Sequence, residues 1–282
     1  MSRGRVRNQA PLDEDYVHRV HRRKKPAAAN PILHDNQMRS FIMKHLPTLI
    51  LFLAAFVFSA GAAAPHVYLV GDSTMSDMPA LNPRRGWGML FRPLFANPAN
   101  VLNLAVNGES TRSCVESGHW KEIVARLAPG DFVLIQYGHN DEVKEKAEKY
   151  TEPAAFAEFL RRFMREARAS GAHPLLATPV CRRKFDAAGR IVPTHGPYPD
   201  LTRAVAKEEN VPLLDLERIT THWLESVGEE SSRGFFMGRR NPRLPPGKED
   251  IEHFVEAGAA KVAQLAANEI RAQKLPLAGL LR

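Results

Sequence analysis

Ser73 follows a short apolar run and is a candidate nucleophile. Residues 67–70 are apolar, and a glycine, an acid and two hydroxyl residues follow at 71–74. A run of this length that ends at a turn signal predicts a buried strand of a parallel sheet, and open α/β sheets bind ligands at the carboxyl ends of such strands. We therefore expect Asp72 and Ser73 at that edge. These residues are equally compatible with Ser73 or Thr74 serving only as a helix cap.

His253 is the candidate general base, and Asp250 precedes it by three residues. Groups at this spacing lie on the same side of a helical turn, so we expect the Asp250 carboxylate to hold Nδ1 of the imidazole while Nε2 faces Ser73. A nucleophilic serine needs such a base, an acid that orients it and donors for the oxyanion. Taken alone, this spacing is more often a surface acid with an unrelated histidine.

Three donors are candidates for the oxyanion hole: the backbone amides of Ser73 and Gly108 and the side-chain amide of Asn140. Gly108 and Asn140 each follow a predicted strand, and a 2-1-3-4-5 strand order places those two strands on either side of the first. Singly, residues 107–108 are typical of a plain turn and Asn140 of a cap. Their order along the chain favours the oxyanion hole.

Strands and helices alternate along residues 65–282 at the spacing of βα units. Strands are predicted at residues 67–70, 101–105, 132–136, 174–178 and 211–216. Helices are predicted at residues 86–95, shortened or kinked by Pro93, and at 118–127, 152–169, 198–209, 219–227 and 255–273. Residues 182–197 are predicted to be a surface loop, and 228–248 lack periodicity. This pattern predicts a single α/β domain, a three-layer α/β/α fold around a five-stranded parallel sheet.

The formal charge of +8 is concentrated near the amino terminus. Residues 1–64 hold ten Lys/Arg and four Asp/Glu, and the rest of the chain has a net charge of +2. The body of the protein is therefore not predicted to bind nucleic acid.

Residues 43–64 have the features of a secretory signal peptide: a basic start, an apolar core at 49–58 and small residues at 59–64. Residues 1–42 would then be a disordered upstream extension that the working protein lacks, with translation starting at Met43 or Met38. A retained signal anchor is the alternative, because residues 48–64 are at the low edge of a membrane span. We expect cleavage, and hence a secreted or periplasmic protein without stable membrane association once the signal peptide is removed. We also expect this protein to be a monomer.

Four blocks of the sequence, in order, resemble the SGNH (GDSL-type) hydrolases. They are Gly71-Asp72-Ser73, Gly108, Gly138-His139-Asn140-Asp141 and Asp250-x-x-His253. Within that superfamily the chain is similar to the rhamnogalacturonan acetylesterase family, carbohydrate esterase family 12, from residue 67 to about residue 270. The segments that carry this similarity are residues 71–75, 86–88, 110–113, 129–131, 136–141, 178–183, 253–254 and 258–259.

The resemblance implies a flavodoxin-like SGNH hydrolase fold and an esterase that uses neither metal nor cofactor. It also implies removal of acetyl groups from plant cell-wall polysaccharide, pectin first, so that the expected partner is an acetylated polysaccharide or oligosaccharide. By position, Ser73 would be the nucleophile, His253 the base and Asp250 its orienting acid. The amides of Ser73 and Gly108 and Nδ2 of Asn140 would form the oxyanion hole.

The chain departs from the family pattern at several positions. Glu252 stands where the family usually has Thr, Asn107 where it often has a second Gly, and Cys114 where it has an aromatic residue. The linker between Asp141 and Pro153 is also shorter than usual. These departures leave the machinery intact but put the substrate in doubt. An SGNH esterase or lipase for other acyl esters, such as xylan acetyl groups or lipids, and a non-catalytic carbohydrate-binding relative are the alternatives.

Other motifs are absent from the sequence. Ser73 is not within Gly-x-Ser-x-Gly, which argues against the ordinary α/β-hydrolase fold. No His/Cys/Asp group has zinc spacing, and no Gly-x-Gly-x-x-Gly follows a strand. Cys114 and Cys181 are expected to be unpaired, because the predicted topology separates them by three strand spacings, roughly 14 Å.

Several remaining side chains are assigned structural or solvated roles. His139 and His195 favour a structural or solvent role over a chemical one, and Trp87 favours the core over a sugar platform. A set of arginines is expected to be solvated, although at the rim of a cleft it would attract the carboxylates of pectin. These residues are Arg182, Arg183, Arg239, Arg240 and Arg243.

Overall fold

A five-stranded parallel sheet forms the centre of the protein. The computed structural model describes residues 64–282, so the predicted extension and signal peptide lie outside the described residues except for Ala64. The strand order is β2-β1-β3-β4-β5, which is the predicted order, and the predicted α/β fold class is confirmed. The strands are β1 (Val67–Gly71), β2 (Val101–Asn103), β3 (Phe132–Gln136), β4 (His173–Ala177) and β5 (Leu213–Leu214).

Helices cover both faces of this sheet. They are α1 (Trp87–Phe91), α2 (Thr111–Glu116), α3 (His119–Val124), α4 (Pro153–Ala169), α5 (Tyr198–Glu208), α6 (Leu216–Val227), α7 (Glu229–Ser232) and α8 (Glu256–Ala272). A 3₁₀ turn with Pro93 in it follows α1 directly, so this helix is shortened as predicted. No helix within residues 64–282 has the length and apolarity needed to cross a membrane.

The side chains of each strand alternate between two apolar cores. From β1, Val67 and Leu69 enter the core under α1, α6 and α8, whereas Tyr68 and Val70 enter the core under α3, α4 and α5. A strand buried on both faces is apolar at every position, which explains the continuous apolar runs in the sequence.

The second strand is shorter than predicted but keeps its pairing. β2 ends at Asn103, yet the amides of Leu104 and Val106 still donate to the carbonyls of Leu69 and Gly71, at 2.8 and 2.9 Å. The chain therefore follows β1 to its carboxyl end before it turns outward.

Two other elements differ from the sequence prediction. β5 has only two residues, because the Asp215 side chain accepts the Arg218 amide at 3.4 Å and starts α6 there. Helix α2 was missed, since it buries only Thr111 and Cys114 and has no apolar periodicity. A capping box between Ser110 and Ser113 fixes its start instead.

Residues 228–254 contain a small sheet that the sequence analysis did not predict. The strands β6 (Phe236–Gly238) and β7 (Asp250–Phe254) pair antiparallel with a register shift. Phe236 and Phe254 are buried against each other, with ring centroids 4.9 Å apart. The polar sequence around Phe236 and Phe254 has no periodicity, so within residues 228–254 no regular sequence pattern indicates these two strands.

Cys114 and Cys181 are both buried and free, as predicted from the distance between their strands.

Helix α1 packs against the turn that follows β1. The amide of Trp87 donates to the Thr74 carbonyl at 2.8 Å, and its indole Nε1 donates to Gln136 Oε1 at 2.8 Å. Trp87 is fully buried, so it belongs to the core. Its neighbour Gly86 is in close contact with the same turn, because a Cβ there would lie 2.2 Å from the Ser76 carbonyl oxygen.

We expect Gly86→Ala to lower the free energy of unfolding by about 1–3 kcal/mol, because the added methyl must displace backbone of the turn after β1. Urea denaturation measures the change. Gly234→Ala is the matched control, since a Cβ there meets nothing within 4 Å. Its effect should stay within about 0.5 kcal/mol. Equal stability of the two variants would contradict this account of the packing.

Candidate active site

Ser73 lies in a tight turn at the carboxyl end of β1. The Asp72 carbonyl accepts the amides of Met75 and Ser76, and Asp72 Oδ1 accepts both the amide and the hydroxyl of Thr74, at 2.9 and 2.8 Å. A Cβ at Gly71 would lie 2.5 Å from a backbone oxygen of β3, so only glycine lets the chain enter this turn. The turn therefore holds the Ser73 hydroxyl at the sheet edge, where the sequence predicted it.

The structure brings His253 to this hydroxyl from the far end of the chain. Ser73 Oγ and His253 Nε2 are 2.9 Å apart, and His253 Nδ1 is 2.9 Å from Asp250 Oδ2. A serine, an imidazole and a carboxylate are thus in contact in the order that nucleophilic catalysis uses.

The backbone that joins Asp250 to His253 is not the helical turn that the sequence analysis assumed. Both residues lie in β7, where strand pairing leaves four steps of this strand opposite two steps of β6. Asp250 Oδ1 accepts the amides of Glu252 and His253, at 3.1 and 2.9 Å. This bulged backbone curls around the carboxylate and brings the two side chains together.

Asp250 is also held from outside its own strand. Asn241 Nδ2 donates to Asp250 Oδ2 at 2.5 Å, from the segment between β6 and β7. Burial acts to raise the pKa of Asp250, but the hydrogen bonds from His253 and Asn241 outweigh it and lower that pKa to about 2. Asp250 is therefore a carboxylate at any pH at which His253 can act as a base.

The three predicted oxyanion donors follow β1, β2 and β3, the three adjacent strands. Within residues 64–282, no hydrogen bond uses the backbone amides of Ser73 or Gly108. Asn140 Nδ2 donates one hydrogen to the Glu109 carbonyl at 2.9 Å, which fixes the side chain and leaves its second hydrogen free. Gly108 has a φ of +80°, a conformation that favours glycine.

His139 lies behind the serine turn and contacts the acid next to Ser73. His139 Nδ1 is 3.2 Å from Asp72 Oδ2, and both side chains are fully buried. Burial acts to raise the pKa of Asp72 and to lower that of His139, but their mutual attraction wins, so the pKa of Asp72 is lowered and that of His139 is raised. The structural role predicted for His139 matches this buried ion pair.

Arg182 and Arg183 are not solvated, contrary to the sequence prediction. Arg182 is paired with Glu142 and Glu252, and Arg183 donates to the Ser232 hydroxyl at 3.0 Å, with only 5% of its side chain exposed. The 182–197 segment folds inward here because acids and carbonyls satisfy its polar groups. Arg239, Arg240 and Arg243 are exposed, as predicted.

His195 belongs to the same buried group. Its Nδ1 is 3.1 Å from Glu142 Oε2 and its Nε2 is 3.0 Å from the Val180 carbonyl. The ring packs edge-on against His139, with centroids 4.5 Å apart. Burial and the nearby His139 charge lower the pKa of His195, which suits a neutral, structural histidine.

Sequence reasoning missed several residues around the site. Arg84 is buried and donates to the Asn107 side chain, and burial lowers its pKa although Asp250 and Glu252 act to raise it. Asn241, which holds Asp250, lies in a segment without periodicity. These side chains reach the site through tertiary packing, and no local sequence pattern marks them.

One group of potential metal ligands is present among the described residues. Ligand atoms of Glu109, Cys114 and His119 lie within 4.8 Å of one another, although their spacing in sequence matches no zinc motif. Glu109 already accepts hydrogen bonds from His119 Nδ1 at 2.9 Å and from the Tyr137 hydroxyl at 2.6 Å. Burial raises the pKa of the Cys114 thiol far above its usual range. Through these hydrogen bonds, Glu109 supports the loop that carries Gly108.

Comparison with known proteins assigns the chain to a family. Residues 69–261, well over half of the chain, match the model of the GDSL-like Lipase/Acylhydrolase family. The chain belongs to this family. The resemblance noted in the sequence is thereby confirmed, and this GDSL-like hydrolase is a carboxylic ester hydrolase.

Two relatives from Bacillus subtilis (strain 168) are similar over most of the domain. The rhamnogalacturonan acetylesterase RhgT is 45% identical over 216 residues, which are 75% of this chain and 92% of the relative. The probable rhamnogalacturonan acetylesterase YesY is 35% identical over 76% of this chain and 96% of the relative.

Solved structures share the fold. The Bacillus subtilis protein YxiM superposes with a TM-score of 0.66 at 28% identity, over 76% of this chain and 58% of that one. Axe2, an acetylxylan esterase from Geobacillus stearothermophilus, superposes with a TM-score of 0.53 at 17% identity, over 74% of this chain and 94% of that one. The second likeness shows the fold alone.

Asp141 ties the loop that carries Asn140 to the start of α2 in this GDSL-like hydrolase. Its Oδ1 accepts the amide and the hydroxyl of Thr111, at 2.9 and 2.5 Å, while its buried Oδ2 has no partner among the described residues. Burial raises the pKa of Asp141 to about 7. Between about pH 4 and pH 7, the folded protein therefore holds a proton at Asp141 that the unfolded chain has lost.

A group whose pKa is raised by folding stabilises the folded protein fully at pH values below the pKa that it has in the unfolded chain. This contribution is lost as the pH rises through the pKa that the group has in the folded protein. Relative to Asp141→Asn, the free energy of unfolding of the wild type should fall between about pH 4 and pH 7, by up to about 1.4 kcal/mol per pH unit. Urea denaturation of both proteins from pH 5 to pH 8 measures the difference. Parallel pH profiles would show that Asp141 is charged in the folded protein.

Proposed function

We propose that this protein is an exported serine esterase that removes O-acetyl groups from plant cell-wall polysaccharide, with acetylated rhamnogalacturonan as its main substrate. The observation that carries the proposal is the 2.9 Å contact between Ser73 Oγ and His253 Nε2 at the sheet edge. The choice of substrate is supported by the similarity to RhgT, which is named as a rhamnogalacturonan acetylesterase and is 45% identical to this chain over 92% of its own length.

In the proposed reaction, Ser73 Oγ attacks the acetyl carbonyl carbon while His253 Nε2 takes the hydroxyl proton. The imidazole then carries a positive charge, which the Asp250 carboxylate stabilises at Nδ1. The C–O bond to the sugar breaks, Nε2 returns the proton to the sugar oxygen, and an acetyl group remains on Ser73. The Asp250–Nδ1 contact of 2.9 Å supports this division of roles.

The negative charge on the carbonyl oxygen needs donors that are not already in use. The amides of Ser73 and Gly108 and the second hydrogen of Asn140 Nδ2 meet this requirement, since no hydrogen bond within residues 64–282 uses them. Removing one such donor typically costs about 10²–10³ in rate. Water activated by His253 then attacks the acetyl-enzyme and releases acetate.

A groove next to the site suits a polymeric substrate. It has a volume of about 730 Å³ and lies beside Arg182, which contacts the residue adjacent to His253. Its wall includes Tyr150, with the Lys144 ammonium 5.9 Å from the ring centroid. Charged and polar side chains along this groove offer hydrogen-bond donors and acceptors to the hydroxyl groups of a sugar chain.

Acetate release from acetylated rhamnogalacturonan should exceed release from acetylated xylan, and hydrolysis of long-chain nitrophenyl esters should be weak. A panel of these three substrates, assayed at equal acyl concentration, measures the preference. Faster release from xylan or from the long-chain esters would assign the enzyme to another acyl ester and overturn the pectin proposal.

Ser73→Ala should lower acetate release by at least about 10³-fold, and His253→Ala should lose a comparable amount, because members of such a group act as a unit. The exposed Glu256→Gln variant is the control and should keep wild-type activity. Substantial activity in His253→Ala would mean that another group is the base.

Export is proposed from the amino-terminal sequence. An apolar core at residues 49–58 followed by small residues at 59–64 is typical of a cleaved signal peptide. Amino-terminal sequencing of the protein released by its host should therefore find a start close to residue 65. An intact Met43 on membrane-bound material would show instead that the segment is retained as an anchor.

A further inference from the structure

Glu252 places a second carboxylate at the imidazole of His253. Glu252 Oε1 is 3.6 Å from Nε2, the atom that also contacts Ser73, whereas Asp250 is 2.9 Å from Nδ1. The ring therefore has an acid at each end. Only the Asp250 contact belongs to the nucleophile–base–acid arrangement described above.

Arg182 holds the Glu252 carboxylate in place. Arg182 Nε donates to Glu252 Oε2 at 2.6 Å, and the same guanidinium is paired with Glu142 on its other side. The side chains are mostly buried, with 16% of Arg182 and 22% of Glu252 exposed. Burial acts to raise the pKa of Glu252, but the charges of His139, Arg182 and His253 outweigh it, so that pKa is lowered.

We propose that Glu252 is a positioning residue that stabilises the protonated imidazole from the Nε2 side, and that Arg182 keeps Glu252 from capturing that proton. This inference rests on the proposed function. As the proton moves from Ser73 Oγ to Nε2, the new positive charge lies 3.6 Å from a fixed carboxylate. Because Glu252 is bound to Arg182, the N–H continues to face the sugar oxygen that must receive the proton when the C–O bond breaks.

Other charges near this pair set the background against which Glu252 acts. They come from the turn after β1, the segment before α1, the loops after β3 and β4, the segment before α5, and the segment before β7. The titratable and charged groups are Asp72, Arg84, His139, Glu142, Arg182, His195, Arg243 and Asp250.

Glu252→Gln removes the charge and keeps the size and an oxygen acceptor for Arg182. The protonated imidazole loses a favourable neighbour, so the acid limb of kcat/KM against pH should move to lower pH by about one unit, the effect of one charge at this distance in a water-like medium. On the plateau, kcat/KM should fall about threefold to tenfold. KM should change little, because the lost interaction exists only once the imidazole is protonated.

Arg182→Gln should act in the opposite direction. Glu252 is then free to pair with the protonated imidazole, so the acid limb should move to higher pH. Arg182→Gln should lose more activity on a fully O-acetylated monosaccharide than on 4-nitrophenyl acetate. The sugar oxygen needs a proton from Nε2 in order to leave, whereas nitrophenolate leaves without one. Arg182→Lys, which keeps the charge, should recover part of the loss.

The measurement is kcat/KM from pH 4 to pH 9 on both substrates, with the melting temperature of each variant. Glu256→Gln, an exposed acid four residues further along, is the matched control and should reproduce the wild-type profile. If Glu252→Gln lowers only the melting temperature and leaves the acid limb in place, the carboxylate is structural and the inference is wrong.

The activities of Ser73→Ala and Glu252→Gln distinguish an error in the role of Glu252 from an error in the proposed function. If Ser73→Ala is inactive and Glu252→Gln behaves like the wild type, the role proposed for Glu252 is wrong and the proposed function stands. If Ser73→Ala still releases acetate, Ser73 is not the nucleophile, and both the proposed mechanism and the role proposed for Glu252 are wrong.

Discussion

The contact between Ser73 and His253 joins side chains 180 positions apart in sequence, and it depends on how the two ends of the domain pack. Ser73 is fixed by β1, the strand next to the centre of the sheet. His253 is fixed by α8, which packs on α1, and by Phe254, which is buried against Phe236. Because α1 also contacts the serine turn, one apolar core sets the distance between the hydroxyl and the imidazole.

Much of the fold could be predicted, because the length of the apolar runs indicates buried strands and their alternation with helical segments indicates a parallel sheet. β1 and β3 are buried on both faces, so their sequences are unmistakable, and their ends place Ser73 and Asn140 at one edge. The local backbone at Asp250 could not be predicted in this way. Three-residue spacing is compatible with a helical turn and with a bulged strand, and only pairing with β6 decides between them.

The charged surroundings of the site were beyond prediction for a different reason. The composition of residues 182–197 is that of a surface loop, yet Arg183 and His195 are buried there. Whether an arginine is solvated depends on the acids that the fold brings to it, and Glu142 and Glu252 come from two distant segments. Such pairs are properties of the assembled structure, so no local pattern carries them.

The two cysteines lie sealed in the interior on opposite sides of the sheet, and no covalent cross-link joins distant parts of the domain. Apolar packing, hydrogen bonds and ion pairs hold residues 64–282 together. Folding therefore has no oxidation step that must reach the correct partner, and no disulfide that a reductant would break.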